Sequence, residues 1–454
     1  MKTSNLSLDQ APPEDIPFRY LITGPAFGIL AGFILALYGD NMFITTWSLD
    51  TVALTHTITL GWLTLIMIGA FYQMVPVLVG GHVPWMKLSR MIYHLLVVGI
   101  LSLVTGLLTW YVPLTALAVI LLATGLTGFI VQLTVALFKV KANKPVVYAM
   151  RISVICLFLT MVAGVLMVGL LFDWWYFPID RAGLKYMHIT TGLLGWVCLL
   201  IFGVSFHVIP MFYLTKAFSD RIAYLVIALV TVSIAALSCA VLMQLTGWWL
   251  IGAGTPALVG ILLFTGTTVR LLWQRQRKMV DTTLRFWKLG LSSLIPAVFL
   301  LPVNLFRYDE TFGYLFGIVF LLGFAVAISN GMLYKIVPFL VWLHRFSSLV
   351  GRIKTPSMKD IIGVLPARVQ FYLFNLSLLT IFVSVLFDLD IAMRTGGLFW
   401  AISSSLLLFQ LIKGVRLQPP EVPATVSQDD FAAMFANLKP PPENMPLEQS
   451  GPSA

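Results

Sequence analysis

The sequence predicts an all-α integral membrane protein with twelve transmembrane helices in three four-helix arcs related by pseudo-threefold symmetry. Composition is the first indication, because 59% of the 454 residues are hydrophobic and only 11% are charged, whereas soluble domains carry about 25% charged residues. The second is a series of apolar runs that could each cross about 30 Å of hydrocarbon. The third is a motif that recurs three times. Continuously apolar runs favour helices over barrel strands, which alternate apolar and polar residues.

Twelve apolar segments cover most of the chain. In order they are Phe18–Tyr38, Thr55–Val79, Met91–Trp110, Leu114–Phe138, Val146–Phe172, Met187–Phe212, Ile222–Leu245, Trp248–Leu272, Phe286–Phe306, Phe312–Val341, Phe371–Phe387 and Thr395–Ile412. They predict a membrane domain over residues 18–413, preceded by a cytoplasmic N-terminal segment, 1–17. The tail, 414–454, is rich in Pro, Ser and acidic residues, so we expect it to be disordered and cytoplasmic.

The basic residues predict the orientation of the chain. Most of the 29 Lys and Arg residues fall in the termini and in alternate loops, and short loops rich in Lys and Arg stay on the cytoplasmic side. Both termini are therefore predicted to be cytoplasmic, in a bacterial inner membrane. The net charge of +10 then reflects topology, so the lipid bilayer is the expected partner and nucleic-acid binding is not expected.

The second, sixth and tenth segments share the pattern G-[WF]-x6-G-x2-[FY]-[QHK]-x-[VI]-P. The pattern predicts three repeats of four segments, over about 18–138, 146–272 and 286–412. Repeated units commonly assemble around an axis, and small residues let membrane helices approach closely. We therefore assign a helix-packing role to the two glycines of each copy, which are Gly61 and Gly69, Gly195 and Gly203, and Gly323 and Gly331.

One polar position of the motif is not explained by packing. The three copies present Gln73, His207 and Lys335 there, and repeat symmetry predicts that they form a polar layer around the axis. A buried amine is costly unless it finds acceptors or water, which favours a functional role. The alternative is that these side chains reach to the nearby interface.

Two histidines lie near the predicted periplasmic starts of the second and sixth segments. We propose His56 and His188 as cofactor ligands, because neutral imidazole is a common ligand of haem iron and copper. His188 and His207 are candidate metal ligands. Gln73 lies about 25 Å along the helix from His56, so the two layers cannot share one metal. In repeat register His188 comes two residues earlier than His56.

These features resemble the haem-copper oxidase subunit I superfamily. The stretch from His56 through Gly61-Trp62, Gly69 and Tyr72-Gln73 to Pro76 also resembles orphan subunit-I-like proteins and the NnrS-type proteins of nitric-oxide response. The resemblance covers nearly all of residues 16–413. It implies that His56 takes the place of the low-spin haem ligand, with a b-type haem, and that His188 takes the place of a copper ligand.

The ligands of a full binuclear centre are missing, because the seventh and tenth segments contain no histidine. The expected function is a haem- or haem/copper-binding protein of respiratory electron transfer, nitric-oxide metabolism or respiratory-complex assembly. Its partners would be cytochrome c-type proteins or other respiratory subunits, and any enzymatic activity would be that of an oxidoreductase of this superfamily. Two alternatives stay open: a transporter or channel for a small molecule, metal or haem, and a structural subunit without a cofactor.

Overall fold

The computed structural model describes residues 12–76, 80, 82–141, 144–175, 180–276, 278–307, 309–350 and 353–420. Within these ranges the chain is helical and contains no strand. The long helices are α1 (Asp15–Tyr38), α2 (Leu49–Met74), α3 (Met86–Leu108), α4 (Val112–Lys139), α5 (Pro145–Leu171), α6 (Arg181–Tyr213), α7 (Asp220–Leu242), α8 (Trp248–Trp273), α9 (Thr282–Arg307), α10 (Glu310–Leu349), α11 (Val364–Phe387) and α12 (Asp390–Val415).

Over the described residues, eleven helices are long and apolar enough to cross a membrane. α9, which corresponds to the predicted segment Phe286–Phe306, is not one of the eleven. With so many apolar helices the chain is an all-α membrane protein, whose environment is a lipid bilayer. This agrees with the fold class expected from composition.

Several helices begin earlier than the apolar pattern predicts. α2 starts at Leu49, before the predicted Thr55, because the Ser48 hydroxyl accepts a hydrogen bond from the Thr51 amide at 3.2 Å and caps the helix. Such a cap satisfies an amide that the first turn leaves unpaired. Polar first turns therefore extend these helices beyond their apolar stretches.

Arg345 joins the two ends of the described chain. Its guanidinium group pairs with the Glu14 carboxylate at 2.9 Å and donates to the carbonyl oxygens of Val415 and Leu417. The start of α1 and the end of α12 therefore lie together at what we call the terminal end, and the opposite side of the bundle is the far end. The expected disorder of the tail concerns mainly residues 421–454, which lie outside the described residues, as do residues 1–11.

The helices close into a ring. α4 packs against α5, α8 against α9, and α12 against α1. The last of these contacts is backbone to backbone, since a methyl group on Gly32 would lie 2.7 Å from the Gly397 carbonyl oxygen. Small residues at such a crossing give close van der Waals contact between membrane helices.

The motif glycines lie where α2, α6 and α10 each cross the helix that opens the same repeat. A methyl group at any of the six would come within 3.0 Å of a neighbouring side chain. The neighbours are Phe27 and Tyr20 on α1, Cys156 and Ala149 on α5, and Ser293 and Phe286 on α9. The glycines thus pack α2 on α1, α6 on α5 and α10 on α9.

Each motif helix also contains a π-helical segment around its first glycine. The segments are Thr57–Thr64, Thr190–Cys198 and Ile318–Val326. π-helical turns are rare and occur frequently at functional sites. Their recurrence at the same place in the motif shows that the three copies share a backbone conformation as well as a residue pattern.

Candidate functional site

The structure brings His56 of α2 and His188 of α6 together. Their ring centroids are 6.0 Å apart and the ring planes are inclined by 32°. Both rings are half-buried, on the far-end side of the π-helical segments. Two imidazoles from different repeats therefore form one potential ligand pair.

Hydrogen bonds fix which nitrogen each histidine can offer to a ligand. Nδ1 of His56 lies 2.8 Å from the Val52 carbonyl oxygen, and Nδ1 of His188 lies 2.9 Å from that of Thr160. A carbonyl oxygen can only accept, so in the neutral imidazole each Nδ1 carries the proton and Nε2 carries the lone pair. In metal-binding histidines, a hydrogen bond from the ring nitrogen that does not bind the metal orients the imidazole in the same way.

Helix α5 supports His188 over two turns. Thr160 provides the accepting carbonyl, and its hydroxyl donates to the Thr191 hydroxyl at 2.9 Å. One turn further on, a methyl group at Gly164 would lie 3.1 Å from Cε1 of His188. The absence of a side chain at Gly164 therefore leaves the imidazole the room it occupies.

The third motif helix contributes a glycine at a corresponding position. Gly317 of α10 lies six residues before Gly323, between the registers of His56 and His188 in their own copies. A methyl group at Gly317 would meet no atom within 4 Å. The third motif helix therefore offers no ligand side chain at this register.

Three contacts below the histidines join the motif helices to one another. Nε1 of Trp62 on α2 donates to the Ser329 hydroxyl on α10 at 2.8 Å. Nε1 of Trp196 on α6 donates to the Thr64 hydroxyl on α2 at 3.0 Å. The ring centroids of Phe324 on α10 and Phe202 on α6 are 6.3 Å apart. The aromatic motif position thus links each helix to another in cyclic order.

A loop at the far end ties the same three helices. Nζ of Lys185 on α6 donates to the carbonyl and hydroxyl oxygens of Thr46 and lies 3.9 Å from the centroid of the Trp47 ring. The Glu310 carboxylate of α10 accepts from the Thr46 amide at 2.6 Å and from the Thr45 hydroxyl at 3.0 Å. Since Lys185 lies one turn before His188, this loop lies over the far-end side of the histidine pair.

No hydrogen bond or ion pair joins Gln73, His207 and Lys335 in the described part of the chain. This motif position is one turn after the second glycine, so its side chain leans toward the opening helix of its own repeat. Gln73 is 5% exposed, and neither amide atom has a hydrogen-bonding partner. His207 is exposed. His207 and His188 also lie at opposite ends of α6, roughly 28 Å apart along the helix, so they cannot share a metal.

Lys335 has an ion-pair partner just before α9. Its Nζ lies 2.7 Å from Oδ2 of Asp281 and 5.5 Å from the centroid of the Tyr213 ring. Burial alone would raise the pKa of Asp281, but the Lys335 ammonium group and hydrogen bonds from Thr283 and Leu284 outweigh it and lower that pKa. Lys335 therefore serves a structural ion pair between α9 and α10.

The donor set limits what the histidine pair can hold. Within the described residues there is no group of three or more His, Cys, Asp or Glu side chains that could hold a metal ion. Zn²⁺ sites normally use three or four protein ligands, whereas a haem iron is held by one or two axial protein ligands. Two neutral imidazoles with no further ligand beside them therefore fit a haem iron better than a zinc ion.

Sequence reasoning missed the supporting groups of this site. Gly164, Gly317 and the loop of residues 44–48 lie outside the motif, and only the tertiary structure reveals their neighbours. Glu310 is the one supporting residue that the sequence marks, because it is an acidic residue at the start of a helix, where negative charge is favourable. No protein-family model matches the chain, and no curated protein matches it.

Proposed function

We propose that the chain binds a b-type haem, whose iron His56 and His188 would hold through their imidazole rings, and that it serves in one-electron transfer in a bacterial inner membrane. The observation that carries this proposal is the 6.0 Å separation of the two ring centroids. With metal–nitrogen bonds of about 2.0 Å, two imidazoles at this separation would both be able to reach one metal ion. The spacing supports a shared metal.

The residues of the chain would hold and insulate this group. The Val52 and Thr160 carbonyls keep both imidazoles in the tautomer that presents Nε2. Gly164 leaves the His188 imidazole its room against α5. When bound, the haem iron supplies a centre that takes up and releases one electron.

The proposal includes the architecture on which the site depends. We infer twelve transmembrane helices in three four-helix arcs with pseudo-threefold symmetry, with α2, α6 and α10 innermost. The cyclic aromatic contacts, the three π-helical segments and the closed ring of helices support this arrangement. With the positive-inside rule, the terminal end is cytoplasmic and the far end is periplasmic.

The ancestry that fits this site is the haem-copper oxidase subunit I superfamily. The proposed role is electron transfer in respiration, nitric-oxide metabolism or assembly of a respiratory complex. A pair of ligands on α2 and α6 differs from the expectation that His56 would bind haem and His188 copper separately. The proximity of the two rings favours one shared group over two.

Copper is the second candidate, because imidazole also suits copper. The experiment that separates the candidates is a determination of haem, iron and copper in the full-length purified chain, together with its optical spectrum. One haem per chain, lost in both His56→Ala and His188→Ala and retained in His207→Ala, supports the proposal. Stoichiometric copper without haem would replace it, and a colourless, metal-free protein would overturn both.

A further inference from the structure

The outer surface of the third repeat carries three basic side chains at the terminal end, where α9 packs against α11. Nη1 of Arg285 on α9 donates a hydrogen bond of 2.6 Å to the Tyr372 hydroxyl on α11, and the guanidinium carbon lies 5.7 Å from the centroid of that ring. Lys288 lies one turn of α9 after Arg285. Arg368 lies one turn of α11 before Tyr372, and residues three or four apart share a face of a helix. The contact between the two helices therefore gathers these four residues into what we call the basic cluster.

The protein does not neutralise the charge of the basic cluster. In the described part of the chain, no carboxylate forms an ion pair with any of its three basic residues. The carboxylates nearest to them in sequence are engaged elsewhere, because Asp281 pairs with Lys335 and Asp360 accepts hydrogen bonds from Ser357. The cluster therefore presents three positive charges at the surface of the bundle.

All three repeats build this position from corresponding residues. A methyl group on the second motif glycine would meet Tyr20 of α1, Ala149 of α5 or Phe286 of α9, which sets the register of the three opening helices. The residue just before each of these packs against a tyrosine ring on the third helix of the same repeat. The pairs are Arg19 with Tyr93, Tyr148 with Tyr224, and Arg285 with Tyr372.

The first and second repeats each place a carboxylate at this position. In the first repeat, Arg19 pairs with Asp15 at 2.7 Å. In the second, Asp220 lies four residues before the tyrosine, where the third repeat has Arg368. Topology explains why basic residues collect at the terminal end, but it does not explain why one of three corresponding positions lacks a carboxylate. The excess positive charge of the third repeat indicates an anionic ligand.

The basic cluster continues into an apolar surface along both helices. On α9, Ile295 and Phe299 are 41% and 58% exposed, and on α11, Leu376 and Leu379 are 43% and 60% exposed. They follow the cluster at intervals of three, four or seven residues, which keeps them on the same face of each helix. Basic groups above two apolar stripes match a phospholipid, whose phosphate lies above its acyl chains. A soluble anion would use the basic groups alone.

We propose that the basic cluster binds the phosphate group of a phospholipid with net negative charge, whose acyl chains lie along α9 and α11. The guanidinium and ammonium groups donate to the phosphate oxygens. The Tyr372 oxygen accepts from Arg285, so its own O–H is directed to a further acceptor, which the headgroup supplies. The site lies on the outer surface of the bundle and is independent of the proposed haem.

The test titrates the full-length chain in detergent with phosphatidylglycerol or with zwitterionic phosphatidylcholine of the same acyl chains. Native mass spectrometry counts the bound lipids and gives the Kd of the first one. We expect the Kd to be lower for phosphatidylglycerol, by about fivefold for each basic side chain at the headgroup. The double variant Lys288→Gln, Arg368→Gln should therefore raise that Kd about 25-fold.

The matched control is Arg221→Gln, Lys413→Gln, which removes the same charge from exposed positions at the same end and should leave the Kd unchanged. Arg368→Asp gives the third repeat the carboxylate that the second has in Asp220, and should abolish the preference for phosphatidylglycerol. Thermal unfolding without added lipid checks that all variants are folded, which we expect because the substituted side chains are exposed.

Two results would overturn the site. They are equal Kd values for the two lipids, and equal Kd values for the double variant and its control. Inorganic phosphate is the probe for a soluble anion. Millimolar phosphate that raises the unfolding temperature of the wild type, but not of the double variant, would assign the cluster to free phosphate and overturn the lipid. Because neither readout reports haem, a haem-free protein that keeps the lipid preference would refute the proposed function and leave this site intact.

Discussion

The indole nitrogen of Trp62 on α2 donates a hydrogen bond of 2.8 Å to the hydroxyl of Ser329 on α10. The two residues belong to the first and third copies of the motif. Their contact therefore joins the two repeats that are furthest apart in sequence. A corresponding bond from Trp196 to Thr64 joins the second copy to the first.

We predict that the pair Trp62 and Ser329 couples α2 to α10 energetically. In a double-mutant cycle with Trp62→Phe and Ser329→Ala, the coupling should be about 0.6 kcal/mol and no more than about 1.7 kcal/mol, the average and the maximum for hydrogen bonds between membrane helices. Thermal or denaturant unfolding in detergent measures it. Trp400→Phe is the matched control, because Trp400 is equally buried but its Nε1 has no partner. A coupling near zero would contradict the contact.

Gly164 should be essential for the position of His188. In Gly164→Ala the new methyl group would lie 3.1 Å from the imidazole, so we expect weaker haem retention and a loss of about 1–3 kcal/mol in unfolding free energy, as in other overpacked sites. Haem content per chain and thermal unfolding are the measurements. Gly252→Ala is the control, because no atom lies near that position. Equal haem content in the two variants would show that His188 does not depend on this space.

Gly317 provides a way to distinguish a haem from a bare copper ion. A leucine there would extend into the open space at that position, at a register between those of His56 and His188, so Gly317→Leu should block the large macrocycle and spare a single ion. We expect at least a tenfold fall in haem content with wild-type thermal stability, and Gly254→Leu should behave as wild type. Haem retained in full would show that the space at Gly317 does not serve the cofactor.

The ion pair of Lys335 and Asp281 should make stability depend on pH in the acid range. The pKa of folded Asp281 lies below its usual value of 3.8, so the stabilisation is complete above that pH and is lost as the pH falls through the folded pKa. Lys335→Met should cost about 1–3 kcal/mol at pH 7, since the pair is more buried than a surface pair.

The difference between Lys335→Met and wild type should narrow below pH 3.8, because protonation of Asp281 removes the ion pair from the wild-type protein, and the variant already lacks it. Unfolding measured from pH 7 down to pH 3 tests this. Arg90→Met is the control, because Arg90 pairs with Asp15 at the surface, with side chains 47% and 41% exposed. Solvent screens such a pair, so this variant should cost less stability than Lys335→Met. A Lys335→Met penalty that is constant with pH would contradict the assignment.

Helix type and position follow from the sequence because they depend on local chemistry. Apolar length predicts a membrane helix wherever it occurs, and the glycine spacing of the motif predicts a packed face. The structure bears out the all-α membrane fold. The early start of α2 depends on the Ser48 cap, a polar signal that apolar length does not register.

The site depends on contacts that the sequence does not encode locally. His56 and His188 are recognisable as candidate ligands, but their proximity depends on how α2 meets α6, and the shift of two residues in register gives no hint of it. Repeat symmetry alone predicts the polar layer of Gln73, His207 and Lys335. Lys335 reaches Asp281 instead, because that motif position faces the opening helix of its repeat.

The most direct test of the central proposal is low-temperature electron paramagnetic resonance of the oxidised, full-length protein. We expect the signal of one low-spin ferric haem with two imidazole ligands. It should change to that of high-spin iron or disappear in both His56→Ala and His188→Ala and stay unchanged in His207→Ala. A protein without a ferric haem signal, or a low-spin signal that survives either substitution, would contradict it.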